Sequence, residues 1–138
     1  MTPAPSPRTV LVVDDEAPLR RVLERSLSHH GLRVISAGSA ETAYELLGSE
    51  QPDALLLDIH LPTMSGLALY LAIVHRWPRY EGRIAIMTGD AAADDVRTWL
   101  ERHQCVVIRK PFNLREVTDW LAAVFRMVEE RARGGAEA

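Results

Sequence analysis

The feature that most constrains the fold is an alternation of short apolar runs with longer segments of helical periodicity. The apolar runs have the length of β-strands and cover residues 10–13, 34–35, 54–57, 84–87 and 105–108. Between and after them, apolar residues recur every three or four positions over residues 19–27, 40–47, 67–76, 92–102 and 114–128. Strands separated by helices pair in parallel, because a parallel crossover is long enough to hold a helix. The sequence therefore predicts an α/β protein with a doubly wound, five-stranded parallel sheet covered by five helices on both faces.

Capping and breaking residues set the expected helix ends. Gly31 is expected to end the first helix, and Ser39 or Ser36 to cap the second. Gly48 is expected to close the second helix, and Pro78 follows the end of the third.

Length and composition narrow the class of protein. A chain of 138 residues is one domain, which we place at residues 9–128, between a flexible segment at 1–8 and a C-terminal tail or linker stub at 129–138. The net charge of -3 excludes the broad basic surface of a nucleic-acid-binding domain. No run approaches the ~18 apolar residues of a membrane span, and the N-terminus lacks an apolar signal region. We therefore expect a cytoplasmic protein that binds neither nucleic acid nor membrane.

Polar residues follow four of the five predicted strands. The first ends on Asp14 and Asp15, the third on Asp58, the fourth on Thr88 and the fifth on Lys110. In open α/β sheets the functional crevice lies outside the carboxyl ends of the strands, so these residues are expected at one rim. Lys110 is the only lysine in a chain that contains fifteen arginines.

The predicted rim has the chemistry of a phosphoryl-transfer site. Carboxylates this close repel one another unless a cation or protons intervene, and Mg²⁺ prefers oxygen ligands of this kind. Beside Mg²⁺ and a lysine, an aspartate can attack phosphorus and form an acyl phosphate. Taken singly, each residue has a simpler explanation: Asp14 and Asp15 as helix-capping acids, Asp58 and Thr88 as turn residues, and Lys110 as a surface charge.

Four segments resemble the receiver (response-regulator) domain of two-component phosphorelay systems. They are LVVDDE at 11–16, LLLDIHLPTMSG at 55–66, IMTGD at 86–90 and IRKPF at 108–112. The resemblance extends from Thr9 to Val128. It implies a flavodoxin-like fold with the strand order 2-1-3-4-5.

The resemblance also implies roles for the rim residues. Asp58 would be the phosphoacceptor, and Mg²⁺ would be held by Asp15 directly, by Asp14 through water, by Asp58 and by the backbone carbonyl of His60. Thr88 would be the switch hydroxyl. Lys110 would pair with the acyl phosphate and precede a cis peptide bond to proline.

One of the departures from the family pattern bears on switching. Val107 stands three residues before Lys110, where the family usually has an aromatic ring that moves inward with the threonine. The usual coupling between threonine and ring is therefore not expected, and output would depend on movement of loops and of the fourth helix. His60 and Asp90 occupy positions that flank the route of the hydrolytic water and are candidates for tuning dephosphorylation.

The implied partners are a histidine kinase or a histidine phosphotransfer protein, and a downstream protein target or a fused output domain. Homodimerisation has two candidate surfaces, helix 4/strand 5/helix 5 and helix 1/helix 5. The protein would assist its own phosphorylation and dephosphorylation and would not turn over external substrates. The alternatives are a degenerate receiver that docks partners without phosphorylation and a Mg²⁺-dependent phosphohydrolase.

Overall fold

A computed structural model describes residues 7–89 and 94–137, with side chains through residue 134. The described residues form five strands, β1 (Thr9–Val13), β2 (Arg33–Ala37), β3 (Ala54–Asp58), β4 (Ile84–Thr88) and β5 (Val106–Arg109). They also form five α-helices, α1 (Ala17–Ser28), α2 (Ala40–Glu50), α3 (Gly66–Arg76), α4 (Asp94–Arg102) and α5 (Leu114–Glu137), and a short 3-10 helix at Pro78–Tyr80. All strand pairs are parallel, and the order β2-β1-β3-β4-β5 confirms the predicted fold class.

Two apolar layers cover the sheet, one on each face. Alternate residues of each central strand point to opposite faces, so that Leu11 packs in the layer with α2, α3 and α4, whereas Val12 packs in the layer with α1 and α5. Every residue of β1, β3 and β4 is buried, as expected for strands with helices on both sides. The carboxyl ends of these three strands are thereby held rigidly side by side.

The structure confirms three of the helix-end predictions and corrects the fourth. α3 ends at Arg76, shortly before Pro78. The Ser39 hydroxyl accepts a hydrogen bond from the Thr42 amide at 3.2 Å, which makes Ser39 the N-cap of α2. Gly31 follows α1 with a φ of 78°. Gly48, however, does not close α2, because one glycine costs a helix only about 1 kcal/mol. The helix continues to Glu50 and ends where Gln51 adopts a φ of 48°.

Other element boundaries differ modestly from the expected ones. β2 is longer than residues 34–35, and β5 begins one residue after Cys105. The last helix runs on from Val128 to Glu137, since the arginine, alanine and glutamate of the predicted tail are good helix formers. Residues 1–6, Asp90 and the expected start of the fourth helix at Ala92 lie outside the described residues.

None of the helices formed by the described residues has both the length and the apolar character that a bilayer crossing requires.

Candidate functional site: an acidic rim around one lysine

The ends of four strands bring the predicted rim together. Asp58 is the last residue of β3, Thr88 is the last of β4, and Asp14 and Lys110 directly follow β1 and β5. The Lys110 amide donates a hydrogen bond to the Thr88 carbonyl at 2.8 Å, which continues the ladder beyond the strands. Asp14, Asp58 and Thr88 are buried polar residues, and burial of a polar group requires a partner.

Lys110 connects the two buried carboxylates. Its Nζ lies 2.6 Å from Asp14 Oδ2 and 3.5 Å from Asp58 Oδ2. The Lys110 side chain is itself largely enclosed, so these ion pairs are screened less than surface pairs. The peptide bond between Lys110 and Pro111 is cis, as the resemblance implied.

The electrostatics of Asp58 and Lys110 reflect this proximity. Burial raises the pKa of Asp58 above its ordinary value, the charge of Asp14 raises it further, and Lys110 opposes both effects only in part. Burial lowers the pKa of Lys110, but its hydrogen bond to Asp14 and the charges of Asp14, Asp58 and Glu16 outweigh burial and leave that pKa raised. The site thus holds a firmly protonated lysine beside an aspartate that is more basic than usual.

A second group of acids lies at the start of α1. Carboxylate oxygens of Asp14, Asp15 and Glu16 lie within 4.8 Å of one another; Asp14 is buried, and the other two are exposed. Asp14 Oδ1 also accepts a hydrogen bond from the Glu16 amide at 2.9 Å, alongside its contact with Lys110. The N-cap of α1 is Glu16, so the explanation of Asp14 and Asp15 as helix-capping acids is wrong. The donor set consists of oxygen atoms only, which fits a hard divalent cation.

The loop after Asp58 is held close to the phosphoacceptor candidate by a glycine. A Cβ built on Gly66 would lie 2.0 Å from the Asp58 carbonyl oxygen, so only glycine fits there. The Gly66 amide donates to the Ile59 carbonyl at 2.7 Å, and the His60 amide lies 3.4 Å from Asp58 Oδ1. The side chain of His60 is exposed. Metal binding by the His60 backbone carbonyl and the role of His60 in tuning dephosphorylation stay predictions.

Comparison with known proteins decides the family. A family model described as the response regulator receiver domain matches residues 10–122. The chain belongs to this receiver-domain family.

Among curated relatives, the probable transcriptional regulator ycf27 of Guillardia theta is 34% identical to this chain. The match covers 89% of this chain and 47% of that relative. The phosphate regulon transcriptional regulatory protein PhoB of Pseudomonas aeruginosa is 32% identical over 86% of this chain and 52% of its own length. The receiver domain therefore spans about half the length of these relatives.

Solved structures agree on the fold. The receiver domain has a TM-score of 0.81 to a response regulator receiver domain protein from Methanospirillum hungatei, at 23% identity, covering 91% of this chain and 99% of that one. It has a TM-score of 0.73 to the response regulator protein TrrA of Thermotoga maritima, solved in complex with Mg²⁺-BeF, at 27% identity, covering 85% of this chain and 98% of that one.

This receiver domain contains space beside Thr88. Val107 is only partly buried, and together with Thr88, Leu100 and Arg109 it lines a pocket of about 350 Å³ between α4 and β5. A valine side chain leaves this space because it is smaller than an aromatic ring. Asp90, the second candidate tuning residue, lies outside the described residues.

Glu16 and Arg20 also lie at the receiver-domain rim, although neither was predicted as a site residue. Glu16 joins the two aspartates, and its place in the run Asp14-Asp15-Glu16 was the available signal. Arg20 donates from Nη1 to the Asp14 carbonyl at 2.6 Å. Its guanidinium packs against Gly38, where a Cβ would lie 3.0 Å from that same nitrogen. The partner of Arg20 is a backbone atom, the Asp14 carbonyl oxygen. The only sequence signal for this contact was therefore the position of Arg20, one helical turn after Glu16.

Proposed function

We propose that this receiver domain accepts a phosphoryl group on Asp58 from a phosphohistidine of a histidine kinase or histidine phosphotransfer protein. Phosphorylation would then change its interactions with a downstream protein target or a fused output domain. One observation carries the proposal: Lys110 Nζ lies 2.6 Å from Asp14 and 3.5 Å from Asp58, at the rim where three strands end. Fixed charges of this kind stabilise a developing phosphoryl transition state without reorganisation.

The chain's own residues account for the transfer step. A carboxylate oxygen of Asp58 attacks the phosphorus, the bond between phosphorus and the donor imidazole nitrogen breaks, and the bonding electron pair leaves with the donor histidine. Lys110, whose Nζ lies 3.5 Å from Asp58 Oδ2, is placed to receive an oxygen of the incoming group. The Thr88 hydroxyl can donate to another phosphoryl oxygen.

The donor set fits Mg²⁺, which we propose as the cofactor. Asp14, Asp15, Asp58 and the His60 carbonyl would hold it, and Glu16 adds a further acid to the same cluster. Three clustered carboxylates and Asp58 face a single lysine, so the rim carries excess negative charge that a divalent cation would offset. When bound, Mg²⁺ supplies positive charge that favours the approach of an anionic phosphoryl donor to an anionic nucleophile.

Transmission of the signal would differ from the family's usual form. Pulling Thr88 toward a phosphoryl group would not draw in a ring, because Val107 stands at that position. The space between α4 and β5 would instead allow α4 and the neighbouring loops to move. His60 and Asp90 would set how fast the acyl phosphate is hydrolysed, and the protein would act as a switch with no external substrate.

Phosphorylation by a small-molecule donor tests the proposal. Incubation with Mg²⁺ and acetyl phosphate should produce a phosphoryl adduct in the intact mass spectrum, and Asp58→Asn should abolish it. Chelation of Mg²⁺ should reduce the adduct strongly. If neither acetyl phosphate nor a histidine kinase produces an adduct, the proposal is overturned in favour of a degenerate receiver. Release of phosphate from a panel of phosphomonoesters would instead indicate a phosphohydrolase.

A further inference from the structure

A groove between α2 and α3 lies outside the acidic rim and the α4–β5 region. Its volume is about 450 Å³, and most of its wall is apolar. Tyr44 of α2 forms one side, and Met64, Leu69 and Ala72 form the other. Leu69 anchors the floor of the groove, because its side chain is buried in the core layer.

Two large side chains in the walls of the groove are exposed. Met64 is 41% exposed and Tyr44 is 39% exposed, although both are large apolar side chains. The Tyr44 ring is held in place by Trp77, with ring centroids 5.0 Å apart. A rigid apolar cleft of this kind is typical of a surface that binds a partner.

The charges of the groove indicate what kind of partner fits. Among the residues that the structure describes, the charged ones lining the groove are Glu41 and Glu45, which lie one helical turn apart along its margin. Within the described part of the chain, neither carboxylate forms an ion pair. Basic side chains one turn apart on a facing helix would meet these two acids while apolar side chains fill the cleft.

We propose that the α2–α3 groove binds an amphipathic helix of a partner protein, with apolar residues in the cleft and Lys or Arg residues facing Glu41 and Glu45. A helix is favoured over an extended strand because the groove lies between two helices and offers no free sheet edge. Binding of this kind resembles the general helix-in-groove mode of recognition.

The groove is connected to the phosphoacceptor candidate through one short loop. The chain from Asp58 to Gly66 carries Met64, which lines the groove, and Thr63, whose hydroxyl donates to the Glu41 carboxylate. A shift of this loop on phosphorylation would move one wall and one charge of the groove together. We therefore expect the affinity for the partner helix to depend on the state of Asp58, an expectation that rests on the proposed function.

Binding of a designed peptide tests the groove without phosphorylation. The probe is a synthetic peptide of about three helical turns, with leucines along one stripe and lysines one turn apart at its margin. In spectra of the ¹⁵N-labelled protein without Mg²⁺, amide shifts should change in residues 40–45 and 64–72 with saturation. The double variant Glu41→Gln/Glu45→Gln should bind about tenfold more weakly, whereas the matched control Glu130→Gln should bind like the native protein.

Blocking the cleft provides a test that does not depend on the acids. Ala72→Arg should abolish peptide binding, with unchanged spectra elsewhere showing that the fold is retained. The proposal is overturned by lack of saturable binding, by equal binding of a peptide with glutamates in place of lysines, or by shifts that map to another surface.

The link to Asp58 is tested separately. After treatment with Mg²⁺ and acetyl phosphate, the peptide affinity of the native protein should change severalfold, and that of Asp58→Asn should not. If an adduct forms but the affinity is constant, the coupling is wrong. If no adduct forms, the proposed function fails, whereas peptide binding in the first experiment still supports the groove.

Discussion

At the scale of single residues, the position of one lysine is the most informative observation. The chain uses arginine at fifteen positions and lysine at one, and that lysine lies between two buried carboxylates. A compact ammonium can approach both carboxylates within one narrow space, whereas the planar guanidinium of arginine is wider and carries its charge on a rigid fork. A general preference for arginine over lysine explains the surface charges of this protein. The small size of the site explains why position 110 is a lysine.

Exchange of this lysine is therefore expected to impair the site without unfolding the protein. Lys110→Arg should keep the fold and Mg²⁺ binding but slow phosphorylation by acetyl phosphate by more than about tenfold, or block its effect on partners. The matched control is Arg109→Lys, the reverse exchange at the exposed neighbouring position, which should leave the rate unchanged. Native phosphorylation and signalling in Lys110→Arg would contradict the role given to Lys110.

Tyr70 gives a pH dependence that is independent of the acidic rim. Burial raises its pKa from 10.0 to about 12, and the neighbouring Cys105 and Glu81 add to the effect. Because the folded protein holds the phenolic proton more tightly than the unfolded chain does, this stabilisation is complete below pH 10 and is lost as the pH rises toward 12. Tyrosinate absorbance should show a transition near pH 12 that Tyr70→Phe removes. Ionisation of Tyr70 in the folded protein near its ordinary pKa of 10.0 would contradict this prediction.

At the scale of elements, two glycines of neighbouring helices should respond oppositely to the same substitution. Gly66 begins α3 against the Asp58 backbone, whereas a Cβ on Gly48 would only touch Trp77 at 3.9 Å. Gly66→Ala should lower the free energy of unfolding by about 2–3 kcal/mol and displace the Asp58 loop. Gly48→Ala, inside α2, should raise it by about 0.5–1 kcal/mol. Urea unfolding measures both, and equal effects would show that the close approach at Gly66 is not a constraint.

Some features of the strands and helices could be predicted from the sequence, and others could not. Burial of the central strands and the Ser39 cap follow from patterns that are local or that repeat along the chain. The strand order, in contrast, was implied only by the resemblance to receiver domains. The end of α2 does not follow from such patterns, because a glycine inside a helix costs too little to stop it where tertiary packing favours continuation. The continuation of α5 beyond Val128 likewise depends on helix propensity in a stretch without apolar periodicity.

The rim shows the same division between predictable and unpredictable features. Asp58, Thr88 and Lys110 could be located because strands that end together bring their next residues together. The contact of Arg20 with a backbone carbonyl and the space beside Val107 could not, since both depend on side-chain packing between elements. The α2–α3 groove belongs to this second group, because no motif marks it.

At the scale of the whole molecule, the sheet separates chemistry from recognition. The buried strands fix the acidic rim at their carboxyl ends, and the helices on either side present surfaces that could respond to it. The loop from Asp58 to Gly66 joins the rim to the α2–α3 groove, and the pocket beside Thr88 joins it to α4. If Asp58 is phosphorylated as we propose, the change would reach two surfaces through these short connections.

The phosphoryl group that we propose on Asp58 would be an acyl phosphate, which can be trapped chemically. Treatment of the phosphorylated protein with borohydride reduces an aspartyl phosphate to homoserine, and mass spectrometry of the digested protein locates the converted residue. We predict homoserine at position 58 and unmodified aspartate at positions 14 and 15. Conversion at position 14 or 15, or a stable phosphoryl group on a histidine or hydroxyl side chain, would contradict the account.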